Sequence, residues 1–94
     1  MERNKREKWV LSDAAELFDL PMDLLSGLPH VELMGDRQFY MENHRGIISY
    51  SEDEIAVSAE GLIVRVFGKK LELISMTGDA LRIRGKIERV EWVN

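Results

Sequence analysis

The sequence predicts a mainly β fold: a small antiparallel β-sandwich or barrel-like meander of about eight short strands, preceded by an N-terminal amphipathic helix. Two observations support this class. Apolar residues follow a helical spacing before residue 25, but they alternate with polar residues after Pro29. The connections after Pro29 are too short for crossover helices, so successive strands should mostly pair as hairpins. We therefore divide the chain into a helix with its linker, 1–25, and an all-β domain, 26–94.

The predicted helix carries one apolar stripe and ends before Pro21. The stripe consists of Val10, Leu11, Ala14, Leu17 and Phe18. Four basic residues precede Trp9, which leaves two interpretations open. The segment either makes a peripheral contact with an anionic membrane or packs on its own domain or on a partner. Acidic residues after Trp9 favour packing.

Short strands are predicted near residues 30–34, 38–42, 47–51, 54–59, 62–67, 70–75, 80–84 and 86–93. Two connections, Glu60-Gly61 and Gly68-Lys69, are typical of two-residue hairpin turns in which glycine supplies a positive φ. In the last strand, the apolar positions change phase near Glu88. This change predicts a bulge or bend at Glu88-Arg89.

The stretch Asn43-His44-Arg45-Gly46 is predicted to be a type I turn, because asparagine suits its first position and glycine its last. Such a turn would expose His44 and Arg45 at its centre. The pair is then either a plain exposed turn or, because turn tips often carry recognition, a contact with a protein partner, and catalysis is not favoured.

Residues 62–67 are apolar on both faces, and Ile63 and Phe67 flank Arg65 on the second face. Residues 47–50 are similarly two-faced. Both faces of such strands must be covered, by the N-terminal helix, by a second sheet or by another chain, so a homo-oligomer remains open. The residues predicted to contact a partner are Trp9, His44, Arg45, Ile48, Ile63, Arg65 and Phe67.

Composition restricts the classes of function. The 94 residues include no cysteine, which excludes disulfides and thiolate metal sites. No apolar run is long enough for a membrane span, and no signal peptide is visible, so we expect a soluble cytoplasmic chain. The net charge of −4 argues against nucleic acid as a partner. Residues 9–60 carry two basic and eleven acidic groups, whereas 61–94 carry seven basic and four acidic ones.

Motifs for catalysis and metal binding are not found. His30 and His44 are the two histidines, and neither is accompanied by a nucleophile and an orienting acid. Glycines are spaced as turns and do not form a phosphate loop. The cluster Glu52-Asp53-Glu54 lacks the spacing of a calcium loop and is interpreted as a solvated turn. We predict no enzyme activity, no cofactor and no metal site.

Several short motifs occur in an order that resembles the YabP/YqfC family of sporulation proteins, and the YqfC branch in particular. They are Leu20-Pro21, Leu28-Pro29, Met34-Gly35, YMENHRGI at 40–47, Tyr50, Gly68-Lys69 with Leu71, and Leu81, Ile83, Gly85 and Ile87 followed by Val90 and Trp92. The resemblance extends from about residue 9 to the end of the chain. Its asparagine-histidine-basic-glycine stretch is the feature that favours the YqfC branch.

The resemblance implies a non-enzymatic accessory or assembly protein of endospore formation, expressed in the mother cell. It also implies a small all-β domain and a membrane protein of the YqfD type as partner, with a location at the outer forespore membrane. It supplies no catalytic residues. An alternative from the residues themselves is a small β domain that binds a ligand in a regulatory role, which would require a pocket with convergent polar groups.

Overall fold

A computed structural model describes residues 27–94, which form one six-stranded antiparallel sheet. Its strands are β1 (His30–Met34), β2 (Gln38–Glu42), β3 (His44–Tyr50), β4 (Glu54–Ala59), β5 (Leu62–Met76) and β6 (Ala80–Val93). The spatial order is β1-β2-β6-β5-β4-β3, so β1 and β3 are the edges. The mainly β class is therefore confirmed for these residues. The predicted helix and Trp9 lie outside them.

A long hairpin, β5 and β6, organises the sheet. The first half of β5 pairs with β4 and with the end of β6, whereas its second half pairs with the beginning of β6, which in turn pairs with β2. Two predicted pairs of strands, 62–67 with 70–75 and 80–84 with 86–93, are thus continuous single strands. This continuity is why the described residues form six strands rather than about eight.

Irregular pairing marks the middle of this hairpin. Phe67 pairs with Arg89 but Gly68 pairs with Ile87, so Glu88 is an extra residue, as predicted for this position. The predicted turn at Gly68-Lys69 is wrong. A Cβ on Gly68 would overlap the carbonyl oxygen of Lys86. Glycine is thus needed there for close approach of two strands and not for chain reversal.

The turn at Glu60-Gly61 is confirmed, since Ala59 pairs with Leu62 and Gly61 has a φ of 77°. The segment 43–46 behaves differently from its prediction. β3 already begins at His44, and β2 and β3 do not pair with each other. The change of direction falls on Asn43, whose φ is 64°, a conformation that asparagine tolerates better than most residues. The predicted type I turn centred on His44 and Arg45 is therefore wrong.

The core is built from alternate residues of every strand except the two edges, and it joins both halves of the long hairpin. Its fully buried members are Phe39, Met41, Ile55, Val57, Val64, Val66 and Ile83, with Leu71 and Leu81 nearly so. Ala56, between Ile55 and Val57, is fully buried as well, outside this cluster. Val31 of β1 and Ile47 of β3 pack against this cluster from the edges. The sheet therefore curls around one apolar interior, as the alternation predicts.

Candidate functional site

His44 is buried, with 6% of its surface exposed, and this overturns the expectation of an exposed turn residue. Its Nε2 donates a hydrogen bond to the carbonyl oxygen of Thr77 at 2.9 Å, and its Nδ1 accepts one from the backbone N–H of Gly46 at 3.0 Å. Backbone groups thus occupy both ring nitrogens. His44 therefore fixes the start of β3 against the β5–β6 connection.

Arg45, which follows it, is exposed and lies 3.7 Å from the Glu60 carboxylate. An ion pair of this length between exposed side chains is weak and leaves the guanidinium able to bind elsewhere. Arg45 is therefore placed at the surface as expected, although through a strand rather than a turn.

Side-chain hydrogen bonds, and no ladder, link β3 to the second half of β5 and to the connection that follows it. Two contacts fix this arrangement: His44 reaches Thr77 at one end, and the Tyr50 hydroxyl accepts a hydrogen bond from the backbone N–H of Leu73 at 2.9 Å at the other. Within residues 27–94 no β-bridge joins β3 to β5. We call this gap the seam, and define it by the exposed residues Arg45, Ile48, Tyr50, Ile74 and Met76.

Four of the nine exposed large apolar side chains of residues 27–94 lie at the seam. Ile48 is 53% exposed and Tyr50 is 51% exposed, while Ile74 and Met76 are also accessible to solvent. Bulges on both sides of Ile47 break the pairing of β3 with β4. Unpaired backbone groups and exposed apolar side chains on an edge strand are the features through which another chain adds a strand.

The second face of β5 carries the other predicted contact residues together. Ile63, Arg65 and Phe67 are half-buried there, and charged groups of the same face cover them in part. The Arg65 guanidinium donates to the Glu54 carboxylate at 2.5 Å, and the Arg89 guanidinium lies 4.1 Å from the centre of the Phe67 ring. This covering by arginines was not among the expectations for the two-faced strand.

Loss of the Arg65–Glu54 pair is expected to have a small, salt-dependent effect. Both side chains are about one third exposed, so replacing Glu54 with glutamine should lower the free energy of unfolding by about 0.5–1 kcal/mol. Urea denaturation at low and high salt measures this change. Glu72→Gln, which breaks the more exposed Arg84–Glu72 pair, is the control and should cost less. An equal loss in both variants at every salt concentration would contradict this assignment.

A second surface, the basic cleft, lies at the bend of the long hairpin. It has a volume of about 430 Å³ and is lined by Arg37, Gln38, Lys69, Lys70, Arg84, Gly85 and Lys86. The β1–β2 turn supplies Arg37. Carbonyl oxygens of this turn accept hydrogen bonds from β6: Gly85 N donates to Arg37 O at 3.1 Å, and Ile87 N donates to Asp36 O at 2.7 Å. The bend therefore brings three separate parts of the chain to one opening.

Two carboxylates lie beside the cations of the cleft. Arg84 donates to Glu72 at 2.9 Å, and Lys86 forms a hydrogen-bonded ion pair with Asp36. The hydrogen bond and positive charge of Lys86 hold the pKa of the Asp36 carboxyl below its ordinary value. Nearby, loss of hydration and the negative charge of Glu42 raise the pKa of the Tyr40 phenol, over whose ring Arg82 lies at 4.9 Å.

A third cluster stands on the β1–β2 hairpin. His30, Glu32 and Glu42 place potential ligand atoms within 4.8 Å of one another, because His30 pairs with Glu42 in the ladder and Glu32 follows on the same face. His30 Nε2 lies 3.0 Å from a Glu32 oxygen. The three side chains could hold a divalent cation only at an open surface, since His30 and Glu32 are both mostly exposed.

Sequence reasoning missed the basic cleft and this third cluster. The excess of basic residues in 61–94 was visible, but Arg37 joins Lys69 and Lys86 only through the pairing of β2 with β6. For the third cluster, the spacing of two residues between His30 and Glu32 already indicated that they share one face of a strand. The position of Glu42 beside them depended on the register of the β1–β2 hairpin. Of the predicted contact residues, Trp9 lies outside the described part of the chain.

Comparison with known proteins agrees with the family resemblance of the sequence motifs. No helix within residues 27–94 has the length and apolar character needed to cross a bilayer. A search of solved structures found no significant match. The chain is 24% identical to the uncharacterized protein YqfC of Bacillus subtilis (strain 168) over 91 residues, which cover 97% of this chain and 94% of that protein. The family model of the YabP family matches residues 27–94, the whole of the described sheet. The chain therefore belongs to the YabP family.

Proposed function

We propose that this protein is a non-enzymatic accessory or assembly protein of endospore formation that acts in the mother cell by binding another protein. Its partner is a membrane protein of the YqfD type, and it works at the outer forespore membrane. Membership of the YabP family and similarity to YqfC along almost the whole chain support this proposal.

The observation that carries the proposal is the seam between β3 and β5. Ile48 and Tyr50 are half exposed on an edge strand, and Arg45 adds a positive charge beside them. A partner that adds an extended segment here would gain backbone hydrogen bonds from β3 and apolar contact with Ile48. Ile63, Arg65 and Phe67 provide a second area of contact on the outer face of β5.

The histidines support a non-enzymatic role. His44, the residue at the centre of the family-like stretch, uses both ring nitrogens to bind backbone groups and has little surface left for a substrate. His30 is exposed and pairs with Glu32. A general base needs a free nitrogen aimed at a reacting proton in a water-poor site, and neither histidine has this environment.

Co-purification tests the proposal. The full chain is co-expressed with the YqfD-type protein of the same genome, and the complex is extracted in detergent. Ile48→Asp should weaken the interaction by about tenfold or more, because a charge at the centre of the contact would have to be desolvated. Arg45→Ala should reduce it by a smaller factor.

The matched control is Leu33→Asp, which places the same charge at an exposed leucine of the opposite edge strand, β1. This variant should bind as the wild type does. Retention of the partner by Ile48→Asp and Arg45→Ala together would contradict the proposed surface. Failure of the wild-type chain to co-purify would contradict the proposed partner.

The same surfaces could instead bind a second copy of this chain. If Ile48, Ile63 and Phe67 are covered by another copy, the mass of the full chain measured by light scattering should rise with concentration, and Ile48→Asp should abolish the rise. A wild-type chain that stays monomeric at high concentration would exclude binding of a second copy and leave the contact with a different protein.

A further inference from the structure

We propose that the basic cleft binds the phosphate groups of a small anionic ligand, of about the size and charge of pyrophosphate. This inference goes beyond the proposed contact with a protein and does not depend on it. The cleft is formed by different residues from the seam, and its chemistry is that of charge rather than of apolar contact. The same phosphate chemistry is offered by a free phosphoryl compound and by an anionic lipid headgroup.

Positive charge is concentrated at the cleft. Residues 27–94 contain nine lysines and arginines, and five of them line this one opening. They are Arg37, Lys69, Lys70, Arg84 and Lys86. Asp36 and Glu72 neutralise part of this charge, which leaves a local excess of three positive charges in a chain whose net charge is −4. A focused positive field on an acidic protein attracts anions to one place.

Two features of the cleft destabilise the folded chain when no anion is bound. Lys69 and Lys86 are direct partners across the ladder, and like charges at opposed positions repel. Lys70 has a φ of 53°, a left-handed conformation that glycine or asparagine adopts at lower cost. Within residues 27–94, no carboxylate forms a salt bridge with Lys69 or Lys70. A bound anion would relieve the repulsion, and strain of this kind is concentrated at binding sites.

The hydrogen-bond donors of the cleft are arranged around one opening. Glu72 and Asp36 hold Arg84 and Lys86 in place, while Lys69 and Lys70 lie on the bulge of β5 with mostly exposed side chains. Gly85 permits the backbones of β5 and β6 to approach each other at the cleft, since a Cβ there would meet the carbonyl oxygen of Lys70 at 2.7 Å. Arginine forks and lysine ammonium groups are the side chains that bind phosphate oxygens. The cleft volume of about 430 Å³ falls in the range of small-ligand sites.

The test is a titration of the full chain with inorganic pyrophosphate, in which binding is measured by calorimetry or by changes in amide chemical shifts. Lys69→Gln combined with Lys70→Gln should weaken binding by about tenfold or more, because two charge-assisted hydrogen bonds are lost. The control combines Arg45→Gln with Arg89→Gln, which removes the same charge outside the cleft and should retain wild-type affinity. Asp36→Asn should strengthen binding several-fold, because it releases Lys86 from its carboxylate.

Vesicles of phosphatidylcholine, with and without phosphatidylglycerol, distinguish the sources of the phosphate. The cleft would be assigned to lipid headgroups if the wild-type chain sediments with the anionic vesicles, if pyrophosphate abolishes this sedimentation, and if the double lysine variant does not sediment. Pyrophosphate binding without sedimentation would assign it to free phosphoryl compounds. The proposal is overturned if the wild-type chain binds neither probe, if the arginine control loses as much affinity as the lysine variant, or if polyglutamate binds the cleft and pyrophosphate does not. Thermal melting confirms that each variant is folded.

Discussion

Replacing Gly68 with alanine is expected to lower the free energy of unfolding by about 3 kcal/mol, one of the largest effects of any single change in this domain. Gly68 is buried at the bend of the long hairpin, where the backbone N–H donates to Asp53 O at 3.0 Å. A Cβ at this position would overlap the carbonyl oxygen of Lys86 and lie 3.0 Å from a methyl carbon of Leu71. The backbone of β6 must therefore move, and the pairing of both halves of the sheet moves with it.

Urea denaturation followed by circular dichroism measures this loss. Gly78→Ala is the matched control, because a Cβ on Gly78 has no neighbouring atom within 4 Å and the residue lies in the exposed β5–β6 connection. Its free energy of unfolding should stay within about 0.5 kcal/mol of wild type. If the two alanine variants were equally stable, the long hairpin would not bend at Gly68, and two separate strands joined by a turn would describe this part of the chain better.

His44→Ala is expected to lower the free energy of unfolding by about 2–4 kcal/mol. The substitution removes a buried ring and leaves the carbonyl oxygen of Thr77 and the N–H of Gly46 without their side-chain partner. Because these groups join the start of β3 to the β5–β6 connection, the loss should also loosen one end of the seam. Faster hydrogen exchange at Gly46 would be the local sign of it.

Two further variants make this test specific. His30→Ala removes the other histidine, whose side chain is 58% exposed, and should leave the stability almost unchanged. His44→Gln keeps an amide that can donate toward Thr77 and should recover part of the loss. A His44→Ala protein with wild-type stability and impaired function would show that this side chain acts in binding or catalysis, against the structural role assigned to it here.

Local sequence patterns were sufficient to predict the bounds of strands that have one face on the core. Phe39 and Met41 alternate with polar neighbours, Ile55 and Val57 repeat at the same spacing of two residues, and β2 and β4 have the predicted bounds. The turn at Glu60-Gly61 followed from glycine chemistry alone.

Glycine chemistry alone was insufficient at Gly68. A glycine between two alternating segments marks either a turn or a place where strands approach closely, and only the position of Lys86, 18 residues later, decides between them. His44 was misjudged for a similar reason. Its partner, Thr77, is 33 residues away, so nothing in the local sequence distinguishes a polar turn residue from a buried histidine whose hydrogen bonds are satisfied.

The functional surfaces also depend on distant pairing. Residues 47–50 were expected to form a strand that is apolar on both faces, but the seam exists because Tyr50 reaches Leu73 of β5 and His44 reaches Thr77, just after that strand. Arg37 lines the basic cleft because the β1–β2 turn is hydrogen-bonded to Gly85 of β6. Recognition of these surfaces therefore required the order of strands, which follows from the whole sheet and not from any segment of it.

Hydrogen–deuterium exchange of the full chain, alone and in complex with the YqfD-type protein, tests most directly whether this domain works through the free edge of its sheet. We expect the amides of β3 after His44, together with those of β5 from Ile74 to Met76, to exchange more slowly in the complex, while β1 is unaffected. Unchanged exchange along both sides of the seam, with protection confined to other surfaces, would contradict this mode of action.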